Sequence, residues 1–467
     1  MKHNDEPTLH DLIERQRLVK EVGDQVADCT PPQVFGIHGD WGCGKTSFLH
    51  QLHWYLAGEC PESQDWQKDA KPTEVEAWQP WQAKPGVTVV WFEAWRYQNE
   101  PNPIVALLQE IRTQLQWSKK FWNYVKKETE VAAYGALFGL ENLTKYLQVD
   151  PAKVQEAGEK WEREDYAVKL PTHVIRAMLE QVVSQLLGVR GKAKSDARLV
   201  VLIDDLDRCE SETAYRLLEG IKIYLNVPNC LFVLGMDQKV IQLGVEQHLP
   251  AGNEADRAVL AAEYIDKICR RIWNLPQLPD CPGLLAQFLD GVPGNKAICD
   301  IVRAYHCLPA NPRKIKAFAD VVERFARHVV PDPAVPPDMG PLSDLRDVTL
   351  PRGHEGRALD ARAGLIVLFS VLYQSHYPLY RAIEGDPRFY HTVRDWAQGI
   401  GKHELLKGIR LPQALVAGDE REMPGVPEFR TTFADPMRGN VFRVQDLIID
   451  LGEVAENSIL ACILGRT

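Results

Sequence analysis

The sequence lacks any apolar run long enough to cross a membrane. Its longest apolar stretches, at 199–203, 231–236 and 363–373, fall far below the roughly 20 residues that a spanning helix needs. The first residues, Met1–Glu6, also lack the apolar core and small-residue cleavage site of an export signal. We therefore expect a cytoplasmic protein without a transmembrane insertion.

The sequence also lacks an excess of positive charge. The 54 lysines and arginines face 64 aspartates and glutamates, which leaves a net charge of −10. No global basic field exists to attract nucleic acid, so such binding would need a local patch. One basic and aromatic cluster lies at 117–127, and we prefer to interpret it as an amphipathic helix with a solvated basic edge.

Paired cysteines are missing as well. The ten cysteines contain no Cys-x-x-Cys pair, which argues against a zinc ribbon or a disulfide framework and favours free thiols. The remaining composition, with 45% hydrophobic and 25% charged residues, is that of an ordinary globular protein. At roughly 150 residues per domain, the 467 residues suggest about two to four folding units.

Buried strands alternate with helices in the first part of the chain. Apolar, β-branched runs lie at 34–37, 87–92, 199–203 and 231–234, with helical patterns between them. This order predicts an α/β fold with a parallel sheet flanked by helices. We expect a surface insertion at 58–86, a mainly helical segment at 117–190 and mostly helices at 255–327.

A proline-rich stretch provides the best domain boundary. We expect a nucleotide-binding core with insertions over residues 1–330, a linker over 331–351, and a mainly helical regulatory or partner-binding domain over 352–467.

The sharpest motif is a glycine-rich loop between the first strand and the helix that follows it. Its residues fit the phosphate-binding loop (P-loop), in which backbone N–H groups and the helix N-terminus surround phosphate oxygens. In that pattern Lys45 reaches the β- and γ-phosphates, and Thr46 binds Mg²⁺. A chance glycine-rich turn is the alternative. The predicted nucleotide-binding residues are Gly39, Asp40, Trp41, Gly42, Cys43, Gly44, Lys45, Thr46 and Ser47.

A second element supports a site for ATP and Mg²⁺. The apolar strand 199–203 ends in two carboxylates, Asp204 and Asp205. We expect Asp204 to hold Mg²⁺ together with Thr46, and Asp205 to orient and deprotonate the attacking water. Such a strand alone is a weak signal, but in combination with the P-loop it is strong.

The motifs together resemble the KAP family of P-loop NTPases. The resemblance covers about residues 8–327 and rests on 39–46, on Trp91–Arg96, on Asp204–Cys209, on Leu234–Asp237 and on Asn311–Phe318. Many members carry transmembrane helices between the two nucleotide motifs. The corresponding apolar stretch here, 131–140, is too short to span a bilayer.

The resemblance implies further roles for individual residues. Asp207 and Arg208 would help to build the site or a subunit contact. Asp237 would lie near the γ-phosphate as a polar sensor. Arg313 resembles a sensor arginine, although an ordinary residue at a helix start explains it equally well.

Several other residues have two interpretations. Arg270 and Arg271 are candidates for an arginine finger given to a neighbouring subunit, but we favour surface salt bridges on a helix. We interpret His50 and His53 as helix-surface residues. The helix N-terminus could lower the pKa of Cys43, but a small filler residue is the preferred interpretation.

These features lead to a functional hypothesis. We expect an ATP-binding and ATP-hydrolysing switch that controls soluble protein partners, such as subunits of a bacterial antiphage defence complex, with a homo-oligomer possible. The alternative is a non-hydrolysing scaffold, because Asp205 is shorter than the glutamate of many related ATPases. A nucleic-acid-stimulated motor is a third option, which the charge does not support.

Overall fold

The computed structural model describes most of the predicted core and several helices after it. The described residues are 7, 12–58, 82–100, 103–116, 197–224, 227–249, 253–278, 280–329, 348, 350, 359–375, 377–398, 444–452, 454–456, 459–460 and 463–464. Most of the predicted insertion, the basic and aromatic cluster, the helical segment at 117–190 and nearly all of the predicted linker lie outside these residues.

The chain divides into two compact units, one of residues 6–276 and one built mainly from residues 277–467. The first unit contains the sheet. Its strands are β1 (Gln33–His38), β2 (Val87–Glu93), β3 (Arg198–Asp204), β4 (Cys230–Met236) and β5 (Arg271–Asn274). Its helices are α1 (Gln16–Asp28), α2 (Lys45–Ala57), α3 (Pro103–Gln116), α4 (Ser211–Tyr224), α5 (Gln238–Glu246) and α6 (Glu254–Ile268). Two short 3-10 helices, Ala94–Tyr97 and Leu206–Arg208, follow β2 and β3.

The sheet has five parallel strands in the order β2-β3-β4-β1-β5. Its four predicted strands are present, which confirms the predicted α/β fold. The edge strand β5 falls in a stretch where the sequence indicated mostly helices. It has four residues and alternates between exposed and less exposed positions, so its pattern is too short to stand out.

Both faces of the sheet are covered, as expected for parallel strands. On β3, Val200 and Leu202 pack toward α1 and α2, whereas Val201 and Ile203 pack toward α3, α4, α5 and α6. The alternation follows from the two-residue period of a strand. Each large apolar side chain buried in this way contributes about 1.5–3 kcal/mol to stability.

The strand order brings the predicted functional residues to one edge of the sheet. Because all strands are parallel, their carboxyl ends lie together, and the loops that follow them form one surface. β4 lies between β1 and β3. The P-loop after β1, Asp237 after β4 and Asp204 at the end of β3 therefore occupy neighbouring positions.

The second unit is mainly helical in its described part. It contains α7 (Cys281–Phe288), α8 (Asn295–Tyr305), α9 (Pro312–Val329), α10 (Ala361–Ser375), α11 (Tyr377–Gly385), α12 (Phe389–Ala397) and α13 (Val444–Leu451). Helix α10 is buried along most of its length. Two buried tyrosines connect α8 and α12 to α13. The Tyr305 hydroxyl donates to Asp450 at 2.7 Å, and the Tyr390 hydroxyl donates to the Ile448 carbonyl at 2.8 Å.

The two units divide at 276/277, whereas the sequence placed a boundary near residue 330. The difference arises because α9 packs on α10. The Phe325 ring lies 6.5 Å from Phe369 and 6.0 Å from Tyr380, measured between ring centroids. Residues 281–329 therefore group with the later helices and not with the sheet. Among the described helices, none combines the length and the apolar character that crossing a membrane requires.

Candidate functional site

The P-loop has a backbone that only glycine adopts easily at two of its positions. Gly42 and Gly44 have φ values of 80° and 94°, in the left-handed region. A side chain at Gly39 would place its Cβ 2.4 Å from the Cys43 sulfur. The loop then enters α2 at Lys45, so that the free N–H groups of the helix face the space above the loop.

A buried arginine, Arg15, fixes the P-loop through side-chain hydrogen bonds to backbone carbonyls. The Arg15 guanidinium donates to the Cys43 carbonyl at 2.8 Å and to the Pro276 carbonyl at 2.6 Å, and the residue is 3% exposed. It links the loop to the start of α1 and to the segment after β5. Arg15 was not among the residues predicted from the sequence, because a single arginine near a helix start carries no recognisable pattern.

The P-loop lysine is engaged with an aspartate. The Lys45 ammonium lies 3.0 Å from the Asp207 carboxylate and donates to the Gly39 carbonyl at 2.7 Å. The two charged side chains are only 8% and 6% exposed. The ion pair joins the P-loop to the 3-10 helix after β3 and places Asp207 inside the site.

Asp204 is a buried carboxylate with weak hydrogen-bond compensation. The residue is 1% exposed, and neither of its carboxylate oxygens has a hydrogen bond of normal geometry to any described residue. Burial raises its pKa, and the neighbouring Asp205 charge raises it further, while the Thr46 hydroxyl lowers it. A buried carboxylate beside a hydroxyl is the oxygen donor set that Mg²⁺ prefers, so Thr46 and Asp204 fit this ion.

Asp205 adopts a left-handed backbone, with φ 56° and ψ 30°, at the end of β3. Its carboxylate forms an ion pair with the Arg208 side chain, with an N–O distance of 2.9 Å. Burial raises its pKa, and the Arg208 charge lowers it. The arrangement keeps the carboxylate at the edge of the site, with 12% of its side chain exposed.

Asp237 begins α5 and lies beside the P-loop. Its carboxylate accepts from the Lys239 backbone at 3.0 Å, which makes it the N-cap of the helix. Donor atoms of His38, Asp40 and Asp237 lie within 4.8 Å of one another. His38 ends β1 and accepts from the Gln238 backbone at 2.9 Å. His38 was not among the residues predicted from the sequence, although its position directly before the P-loop is a usable signal.

Comparison with known families agrees with this geometry. A model described as the KAP family P-loop domain matches residues 15–278, which is more than half of the chain. The chain belongs to the KAP family of P-loop NTPases. The match begins at Arg15 and so includes the residue that holds the P-loop.

Other comparisons add less. A solved Walker-type ATPase of Pyrococcus abyssi is similar at 12% identity and a TM-score of 0.36, with 98% of this chain and 99% of that one covered. No curated protein matches the chain significantly.

Further residues of the KAP domain line the same edge of the sheet. Glu93 lies opposite Asp204 in the strand register, forms an ion pair with Arg96 and accepts from the Trp91 ring at 3.3 Å. Trp95 follows in the 3-10 helix and is 42% exposed. These contacts place the Trp91–Arg96 motif at the border of the site.

The remaining P-loop residues differ in exposure. Asp40 is exposed, and the Trp41 side chain is 70% exposed, so both border the solvent-facing side of the loop. Burial raises the pKa of Cys43, which supports its interpretation as a small filler. Thr46 and Ser47 lie in the first turn of α2 and are partly buried.

Two arginines proposed from the sequence belong to different units of the chain. Arg271 belongs to β5, not to a helix, and its side chain donates to Gln25 at 2.8 Å and pairs with Glu21 at 3.9 Å. The favoured interpretation was a surface salt bridge on a helix, and the structure has this surface contact on a strand. Arg313 begins α9 in the second unit, so its role as a sensor stays a prediction.

Proposed function

We propose that this chain is a magnesium-dependent ATPase that acts as a molecular switch. Its membership of a P-loop NTPase family supports nucleotide binding. The observation that carries the proposal further is Asp204, a buried carboxylate close to the Thr46 hydroxyl and only weakly compensated by hydrogen bonds among the described residues. Retaining such a group is costly unless a ligand uses it.

The residues would divide the chemistry between them. The P-loop backbone and Lys45 bind the phosphates, and Thr46 with Asp204 holds the magnesium ion. When bound, the ion neutralises charge on the phosphate oxygens. Asp205 accepts the proton of the attacking water and orients it, and Asp237 connects the phosphate position to α5.

Phosphate release tests the proposal. We expect turnover of ATP by the intact chain, loss of turnover in Lys45→Ala, and a strong decrease in Asp205→Asn. Asp24→Asn is a matched control, because Asp24 pairs with Lys84 at 2.7 Å on the side of α1, away from the carboxyl edge of the sheet. Equal phosphate release by all four proteins would contradict the proposal. A parallel series with GTP establishes the preferred base.

One observation favours a second candidate, a scaffold that binds nucleotide without hydrolysing it. Arg208 pairs with Asp205 and would compete with water for its carboxylate. Nucleotide binding without turnover, both in wild type and in Arg208→Ala, would favour the scaffold. Faster turnover in Arg208→Ala than in wild type would show that Asp205 is a catalytic base and that its ion pair with Arg208 inhibits it.

The output of the switch is also a proposal. A bound γ-phosphate would stabilise one conformation of the site, and hydrolysis would end it. The change of conformation would alter binding to soluble cytoplasmic partners or to a second copy of the chain. The setting in bacterial antiphage defence rests on the family resemblance alone. Phage plating on cells that carry the native locus tests it, and equal plating for wild type, Lys45→Ala and a deletion would argue against defence.

A further inference from the structure

We propose that Asp207 is an internal counter-ion that occupies Lys45 in the nucleotide-free protein and must yield this cation to phosphate. The exchange would make the segment 205–208 the first part of the chain to respond to nucleotide. The proposal rests on nucleotide binding at the P-loop and deepens the proposed function by naming the element that registers occupancy.

The geometry places Asp207 in the position of a competitor. Its carboxylate lies 3.0 Å from the Lys45 ammonium, and both side chains are more than nine-tenths buried. The Gly39 carbonyl takes another donor position of the same ammonium at 2.7 Å. A phosphate that binds Lys45 therefore meets a cation whose charge is already neutralised.

The surrounding charges make shared occupancy unfavourable. Asp204, Asp205 and Glu93 lie at the same edge of the sheet as Asp207. A phosphate beside these carboxylates adds like charge to a site with little solvent to screen it. The arriving phosphate therefore competes with Asp207 for the Lys45 ammonium.

The fold allows such a movement to be transmitted. Leu206 is fully buried and anchors the 3-10 helix, which packs against β4 and α5. On one side of this anchor Asp205 has its left-handed backbone, and on the other side Arg208 is 41% exposed. When Asp207 leaves Lys45, the turn 205–208 can change conformation as far as the surface, while the buried Leu206 stays in place.

Nucleotide affinity without magnesium is the direct test. Asp207→Asn keeps the size of the side chain and removes its charge, so we expect it to bind ADP and ATP about tenfold more tightly than wild type in EDTA, measured by calorimetry. Asp24→Asn is the control, since it removes the charge of another lysine-bound aspartate and should leave affinity unchanged. Equal or weaker binding by Asp207→Asn would overturn the proposal.

Hydrogen exchange provides a test that needs no variant. The Arg208 amide donates to the Asp205 carbonyl at 3.1 Å, and the Cys209 amide donates to the Leu206 carbonyl at 3.3 Å. We expect saturating Mg·ATP to change the protection of both amides in wild type. Bound nucleotide with unchanged protection would overturn the exchange while leaving the proposed ATPase intact. A wild-type chain that binds no nucleotide would instead refute the proposed function itself.

Discussion

At the scale of single residues, the site holds more negative charge than its own residues neutralise. Lys45 pairs with Asp207 and Arg208 pairs with Asp205, whereas Asp204 has no cation beside it among the described residues. The protein thus keeps a carboxylate where it destabilises the empty fold, which is typical of functional sites.

Asp204→Asn should therefore stabilise the metal-free protein. Because burial and Asp205 raise the pKa of Asp204 in the folded state, its ionisation opposes folding as the pH rises above the unfolded value of 3.8. We expect the variant to have a larger free energy of unfolding than wild type at pH 8 and this gain to disappear near pH 4. Thermal unfolding in EDTA at both values measures it. A variant less stable than wild type at pH 8 would contradict the account of Asp204.

Arg15→Ala should weaken both the fold and nucleotide binding. The substitution leaves the Cys43 and Pro276 carbonyls without their charged donor, which costs about 2 kcal/mol in the free energy of unfolding. The P-loop loses its support, so nucleotide affinity should decrease as well. Arg17→Ala is the control, since Arg17 lies two residues further along the chain and is exposed. Similar urea midpoints for the two variants would show that Arg15 does not hold the loop.

At the scale of elements, α2 is more deeply buried than its sequence indicated. It packs against α1 on one side and against the sheet on the other, so His50 is fully buried and His53 is 6% exposed. The prediction that both are surface residues was wrong. The His50 ring stacks on Trp91, with ring centroids 4.2 Å apart.

His50 should make the protein sensitive to acid. Burial, with a smaller contribution from His53, lowers the pKa of His50 to about 3, so unfolding at low pH is accompanied by protonation. Its depressed pKa contributes stability above pH 6.5 that is lost as the pH falls toward 3. In urea unfolding, the free energy of unfolding of wild type minus that of His50→Phe should fall by about 2 kcal/mol between pH 7.5 and pH 5.0. A constant difference would exclude a neutral buried imidazole. His391→Gln in the second unit is the control.

The elements also show what the sequence could predict. Strands β1 to β4 and the P-loop follow from apolar runs and glycine spacing, which are local patterns. The ion pair of Asp207 with Lys45 and the contacts of Arg15 both join segments that are far apart in the chain. Such features arise from tertiary structure and leave no local pattern.

At the scale of the whole molecule, the boundary between the units sets where the chain can be cut. A fragment ending at residue 330 keeps α9 but loses α10 and α11, whose Phe369, Tyr373 and Tyr380 cover Phe325. We expect this fragment to bind a hydrophobic dye and to aggregate more than a fragment ending at residue 278. Equal solubility and dye binding would place the boundary nearer to residue 330.

The central claim is a magnesium-nucleotide site formed by the P-loop and Asp204. Calorimetric titration of ATP, with Mg²⁺ and with EDTA, into wild type and Asp204→Asn tests it most directly. We expect Mg²⁺ to tighten ATP binding to wild type, and we expect this gain to be lost in Asp204→Asn. The same gain in both proteins would contradict it.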